Sequence, residues 1–458
     1  MRAILISASM LALAVAAPAA AQTNTSVVTQ GGTDNSATVL QPGTGNDSEI
    51  TQEAGSQDND ATVNQTGTNA ISTITQSGIG NGAVANNFVN VDQSGDGAES
   101  SVTQGGDDAL EVSVTQIGDS VSSVNQEGGN LRTEVFQSGD GNDSIVIQRG
   151  LNNDIGAPLD IGNSGVIQIG DGNISNVNQG LANNSDVTVT QTGNTNTSDV
   201  DQLNGSANLV ADLLQLGDDN ISRISQSGNG GSTTLTQNSD GNAANITQVQ
   251  TSATMTAMQF GPVGLNRLSS IQGGNDNVIT VVQRGTVNVD AETDRTNTAS
   301  FTQFGRRSFA DLDQTGDGNF GGLRQFDSTI GVRSEDLMSI VVQNGIGNTT
   351  NTTQYGLRNV TTVDQIGDRN EAEVEQFRLS EDQLADINQN GSDGFVDAFQ
   401  DGNDNTFTLN DDGAFNQAIL NQVGDANVAT FNQGGSNNFS SASQNGNGNV
   451  ATVNQNFP

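Results

Sequence analysis

The chain has 458 residues, 52 of them Asp or Glu against 14 Lys or Arg, for a formal charge of −38, and it contains no cysteine, histidine or tryptophan. That composition excludes disulfides, thiolate nucleophiles and a histidine general base, and points to no cofactor. It also excludes a nucleic-acid partner, whose phosphates would be repelled.

Residues 1–21 read as a secretory signal peptide: Arg2, an apolar run from Ala3 to Ala17, then three alanines with cleavage after Ala21. The run is too short and alanine-rich for a membrane anchor, and no other stretch approaches 18 apolar residues. The mature chain, 22–458, is expected to be exported and not membrane-spanning.

From Gln30 to Gln455 a glutamine returns about every eleven residues: 35 glutamines and 34 steps, 22 of them eleven long. Glycine stands two residues after the glutamine in 27 of the 35 cases and asparagine five after it in 20, far above what composition alone would place there. Two before the glutamine the residue is mostly aliphatic (Val39, Ile50, Val63, Ile74, Val453) and four before it is often small (Ala37, Ser48, Ala61, Ser72, Ala451). Small, polar, aliphatic, polar, glutamine is the period-two alternation of a strand with one buried face. The glycine and asparagine read as a tight turn, since both tolerate positive φ. Proline, which cannot donate to a ladder, keeps to the same phase: Pro42 and Pro262 fall in turns, Pro158 in an interruption, and Pro458 ends the sequence.

These readings predict an all-β fold, a two-sheet β-solenoid of ~22-residue strand-turn-strand rungs made of 11-residue half-repeats. Residues 22 apart would then lie about 4.8 Å above one another in an amyloid-like cross-β stack of roughly 16 to 18 rungs. Stacked amides would pass hydrogen bonds from rung to rung, which is why a buried-face position can be glutamine. Stability would sum over many neighbour contacts along the stack. Interruptions of the beat fall near 77–92, 149–167, 284–302 and 326–342.

Nine of the 14 arginines lie between Arg284 and Arg378, and 14 of the 16 phenylalanines from Phe260 onward. The arginines are expected to neutralise acidic turns, or else to form a contact surface for an acidic partner; the phenylalanines are expected to fill a wider core or cover interruptions. Acidic turns such as Gly139–Asp143, Gly217–Asn220 and Gly402–Asn405 keep an edge-rich protein soluble. Alternatively they bind calcium weakly through stacked oxygens, with no dedicated metal site.

The string Q-x-G-x-x-N-x-A-x-x-x-Q occurs whole at Gln30, Gly32, Asn35, Ala37, Gln41, at Gln422, Gly424, Asn427, Ala429, Gln433, and at Gln444, Gly446, Asn449, Ala451, Gln455. It resembles the repeat of curlins, the subunits of curli fimbriae, over essentially the whole mature chain. The resemblance implies that these glutamines and asparagines, with Gly43, Asn46, Gly435 and Asn438, are the stacking residues of a cross-β core. It further implies secretion through an outer-membrane export pore, nucleated polymerisation, and adhesion in a biofilm matrix. This chain is longer and more acidic than the family's subunits.

Two structural readings stay open, and no catalytic residue is assigned. In the first, a fibre subunit self-associates through open solenoid ends, with a curlin nucleator as partner. In the second, a non-polymerising acidic solenoid acts as a surface adhesin. An enzyme would need a neutral general base and long loops around a cleft, and an ice-binding face would need a regular threonine array; pairs such as Thr73 and Thr75 are not continued.

Overall fold

The computed structural model describes residues 23–455, apart from 78–86, 107–109, 152–153, 156–164, 181–182, 204–205, 250, 262–265, 286–295, 327–333 and 378–379. The leader and Pro158, Pro262 and Pro458 therefore lie outside the described residues, as do parts of all four interruptions.

Every described strand pairs in parallel with the strand one rung away, and successive strands along the chain alternate between two sheets. One sheet stacks 18 strands, from Thr25–Gln30 to Phe439–Asn445. The other runs from Ser36–Leu40 to Val450–Gln455; within it, Asp154–Ile155 and Val166–Ile169 are two pieces of one level, both lying between Arg132–Ser138 and Asp186–Thr192. No helix occurs among the described residues. The chain is a two-sheet β-solenoid, as its periodicity predicts.

Two details depart from the sequence reading. Many strands run to nine residues, beyond the five of the small, polar, aliphatic, polar, glutamine alternation, because pairing continues through the glycine that follows the glutamine, as in Val121–Gly129 and Leu384–Ser392. The rung is also not a constant 22 residues. Gln30 pairs with Gln52, but Gln65 pairs with Gln93 and Gln137 with Gln168. The register of the stack survives every interruption, since the glutamines on either side still pair.

Within a strand, alternate side chains are buried: Asn59, Ala61, Val63 and Gln65 turn inward, Asp60, Thr62 and Asn64 outward. The core is three columns wide. Its centre is aliphatic, for example Ile50, Ile74, Val102, Val124 and Val146 in one sheet, over Val63, Val91, Val114 and Val135 in the other. On either flank a glutamine of one strand meets the small residue of the facing strand. Gln126 Nε2 lies 3.2 Å from Thr133 Oγ1, and Gln343 Nε2 the same distance from Thr350 Oγ1. The position four before the glutamine is small because the opposite amide occupies that space.

Phenylalanine enters this core in the later rungs. Phe301, Phe407 and Phe431 are buried, with Phe407 and Phe431 packed edge to face at 5.5 Å between ring centroids. Gly321 gives way to the Leu312 side chain, which a Cβ there would strike. Other rings turn outward: Phe326, Tyr355, Phe377 and Phe399 contact one another in series, one rung apart.

Candidate functional site

All 35 periodic glutamines fall into two columns, one per sheet. Gln30, Gln52, Gln76 and Gln104 begin the first, which ends at Gln422 and Gln444. Gln41, Gln65, Gln93 and Gln116 begin the second, which ends at Gln433 and Gln455. Apart from the exposed end rungs these side chains are fully buried.

Each amide is satisfied by translation. Except at Gln389, whose neighbour one rung on is Asp411, and at the last rung, its Nε2 donates one hydrogen to Oε1 of the glutamine one rung on, as from Gln30 to Gln52 at 2.8 Å and from Gln215 to Gln237 at 2.8 Å. It donates the other to a main-chain carbonyl of the facing strand, as from Gln52 to Ser36 O at 2.8 Å. The donor always sits in the earlier rung, so each column is a unidirectional chain of amide dipoles, an arrangement in which neighbours polarise one another. In several rungs a facing hydroxyl bridges two members: Thr133 Oγ1 donates to Gln148 Oε1 at 2.7 Å, and Thr233 Oγ1 to Gln248 Oε1 at 2.8 Å.

The asparagines behave differently from the turn residue expected of them. Asn46 and Asn427 are fully buried and Asn438 nearly so, while Asn35 and Asn449 occupy the end rungs. Asn46 Oδ1 accepts from the main-chain N–H of Ala70 one rung on, and its Nδ2 donates to the Gly67 carbonyl at 3.0 Å. Asn427 Oδ1 accepts likewise from Asn449 N, while the main-chain N–H groups of Asn427 and Asn438 donate to Asn405 and Asn416 one rung back. Positive φ falls instead on the residue just before these asparagines, at Asp34, Gly45, Asp404, Ala426, Asn437 and Gly448. The asparagine is a buried clamp on the corner.

Glycine also has a second role. Gly32, Gly424, Gly435 and Gly446 have positive φ, as a turn requires. Gly43 does not, yet a Cβ on it would overlap the Gly67 carbonyl oxygen, and one on Gly424 would overlap that of Gly446. Successive corners stack backbone on backbone, and only glycine leaves room.

Acidic turn residues take part in the same pattern. Asp140 Oδ1 accepts from Asp119 N at 3.0 Å, Asp171 from Asp140 N at 2.9 Å, and Asp218 from Asn194 N at 2.7 Å. One oxygen of each carboxylate is thus committed to the neighbouring rung. Among the described residues no group of three or more acidic side chains converges as a metal would need.

The arginines pair across rungs. Arg307 holds Asp336, Arg358 holds Asp382 and Arg369 holds Asp393, each through two hydrogen bonds of 2.7–2.9 Å. These contacts pull the three carboxyls below the usual carboxylate range. Arg132, Arg149, Arg223 and Arg284 also meet acidic partners one rung away. Local neutralisation accounts for these; Arg267 and Arg324 have no ion pair among the described residues, and Arg295, Arg333 and Arg378 lie outside them. Where no arginine compensates, burial pushes outward-facing Asp186, Asp212 and Asp364 up, with Asp212 adding to the shift at Asp186.

A buried serine column goes beyond the sequence reading. Ser48, Ser72, Ser100, Ser122 and Ser144 stack in register, and their hydroxyls have no hydrogen-bond partner. Its signal is the small residue four before each glutamine of this sheet.

A family profile described as Curlin associated repeat matches residues 24–53 and 341–377. The chain therefore carries curlin associated repeats near its first rungs and again deep in the stack. No curated protein matches it.

Proposed function

From a chain that carries curlin associated repeats, we propose a secreted structural subunit of the curlin type, which self-associates through its solenoid ends into amyloid-like extracellular fibres that serve adhesion in a biofilm matrix. The observation that carries this reading is the complementarity of the two end rungs. The columns run one way, so the first rung presents the Gln30 and Gln41 Oε1 atoms without a donor among the described residues. The last rung presents Gln444 and Gln455, whose Nε2 atoms each use one hydrogen on Val428 O and Phe439 O. The inward side chains match as well: Ser440, Ala442 and Gln444 would stack on Ser26, Val28 and Gln30, and Ala451, Val453 and Gln455 on Ala37, Val39 and Gln41. Among the described residues each end also carries a strand edge with no pairing partner, able to take another chain.

An outer-membrane export pore and a nucleator are the partners this role requires, and the protein acts as a scaffold rather than an enzyme. The test is assembly of the mature protein: thioflavin-positive fibres with a meridional reflection near 4.7 Å are expected. Monomers that persist at high concentration even when seeded would overturn the reading.

The high negative charge favours one second reading, a solenoid that stays monomeric as a surface adhesin because acidity blocks assembly. Salt separates the two, since screening releases assembly if charge is the brake and does nothing if the ends cannot stack.

A further inference from the structure

The second glutamine column has one foreign member. At the level between Gln389 and Gln433 stands Asp411, paired in register with both and only 4% exposed. A carboxylate is one methylene shorter than glutamine and, when ionised, only accepts hydrogen bonds. The consequence is visible next door. Gln433 Oε1, which every other rung would supply with an amide donor, is buried with no partner. Asp411 instead accepts from Asn416 Nδ2 at 2.5 Å.

We propose that Asp411 is a proton-operated latch on the last two turns: ionised, it breaks the amide column; protonated, its O–H donates to Gln433 Oε1 and closes it. Burial holds this carboxyl up to about 6, opposed by the Asn416 bond and assisted by neighbouring Asp412. Among the described residues no base faces it. The adjoining strand Leu384–Ser392 carries Asp386, which is exposed, and Val428–Ser436 carries no charge. Of the facing strands, Phe395–Asp401 turns Asp397 and Asp401 outward and Gln417–Val423 carries no charge, while Asp393 in the nearby turn is held by Arg369.

The sign follows from linkage. Above about pH 6 the folded chain must hold a buried carboxylate; between there and the ordinary value of 3.8 folding takes up a proton, so these turns gain stability as pH falls through that window. Asp411 lies two strands of its sheet before the final level, with only Val428–Ser436 between them, so the latch controls order at the end rung.

Hydrogen exchange of the full-length monomer tests this without reference to assembly. Protection of residues 417–455 is compared with that of 186–226 at about pH 7.5 and about pH 5, corrected for intrinsic rates. In the wild type the ratio is expected to rise several-fold at the lower pH. In Asp411→Gln, which restores the column residue, the ratio should be high and pH-independent, and in Asp411→Asn it should be pH-independent; Asp412→Asn should respond like the wild type. A flat wild-type ratio, an undiminished response in Asp411→Gln, or its loss in Asp412→Asn would each overturn the proposal.

Discussion

A primary amide buried in a narrow core is costly unless both its hydrogens and its oxygen are matched. Gln237 shows how the column does this. Its Oε1 accepts from Gln215 at 2.8 Å, and its Nε2 donates to Gln259 Oε1 at 2.9 Å and to the Ile221 carbonyl at 3.1 Å. Leucine there would preserve volume but leave Gln215 with an idle hydrogen and Gln259 with an idle oxygen. Gln237→Leu is therefore expected to destabilise the monomer by about 2–4 kcal/mol in urea denaturation, each orphaned group costing about 1–3 kcal/mol. Adding Gln259→Leu should cost less than it does alone, because the bond between the two is already gone, with a coupling of roughly 0.5–3 kcal/mol. Strict additivity would show that the amides act singly and that the column is not a cooperative unit.

At the scale of strand and turn, what is legible in the sequence is what period and phase encode directly. Gln52 to Gln65 is thirteen residues and Gln76 to Gln93 seventeen, yet each step returns to a glutamine, and each of those glutamines finds its column. Pairing across the two sheets is not legible, because no local pattern states which residue faces which. The small residue four before each glutamine stands out in the sequence, but the amide that demands it comes from the facing strand. Tolerance of positive φ assigns asparagine to the turn, whereas the structure buries it and gives that conformation to the preceding residue. Asp411 has a signal, the single step of 22 from Gln400 to Gln422 with an aspartate at its midpoint. At some corners glycine is required for a reason other than its φ, and this can be tested. Gly55 has φ of 94° and nothing within 4 Å of where an added methyl group would stand, whereas Gly67 lacks positive φ but would drive a methyl into the Gly95 carbonyl. Gly67→Ala should lower stability by about 3 kcal/mol, since stacked backbone cannot yield. Gly55→Ala should cost about 1 kcal/mol or less, its strain offset by a less flexible unfolded chain. The reverse order in thermal unfolding would mean that turn conformation, not rung contact, selects the glycines.

For the molecule as a whole, the unidirectional columns make the two ends chemically distinct, acceptors at the first rung and donors at the last, so chains should add head to tail and not head to head. Charge opposes this addition, but it is screened within about 10 Å at 0.1 M salt, and the end rungs offer matched apolar contacts in return. Blocking one end at a time exposes the polarity. Val28 is 44% exposed on the first rung and Ala442 is partly buried on the last sheet level, so Val28→Lys and Ala442→Lys should each leave the monomer folded. In a stacked pair those two positions meet, and a lysine there would be buried without a partner. Each variant alone should remain monomeric in sedimentation at a salt concentration where the wild type assembles. Mixed in equal amounts they should form a discrete species of two chains, because the free last rung of Val28→Lys can receive the free first rung of Ala442→Lys, and both outer ends of that pair are blocked. A mixture that stays monomeric, or dimers of either variant by itself, would rule out head-to-tail stacking through these rungs.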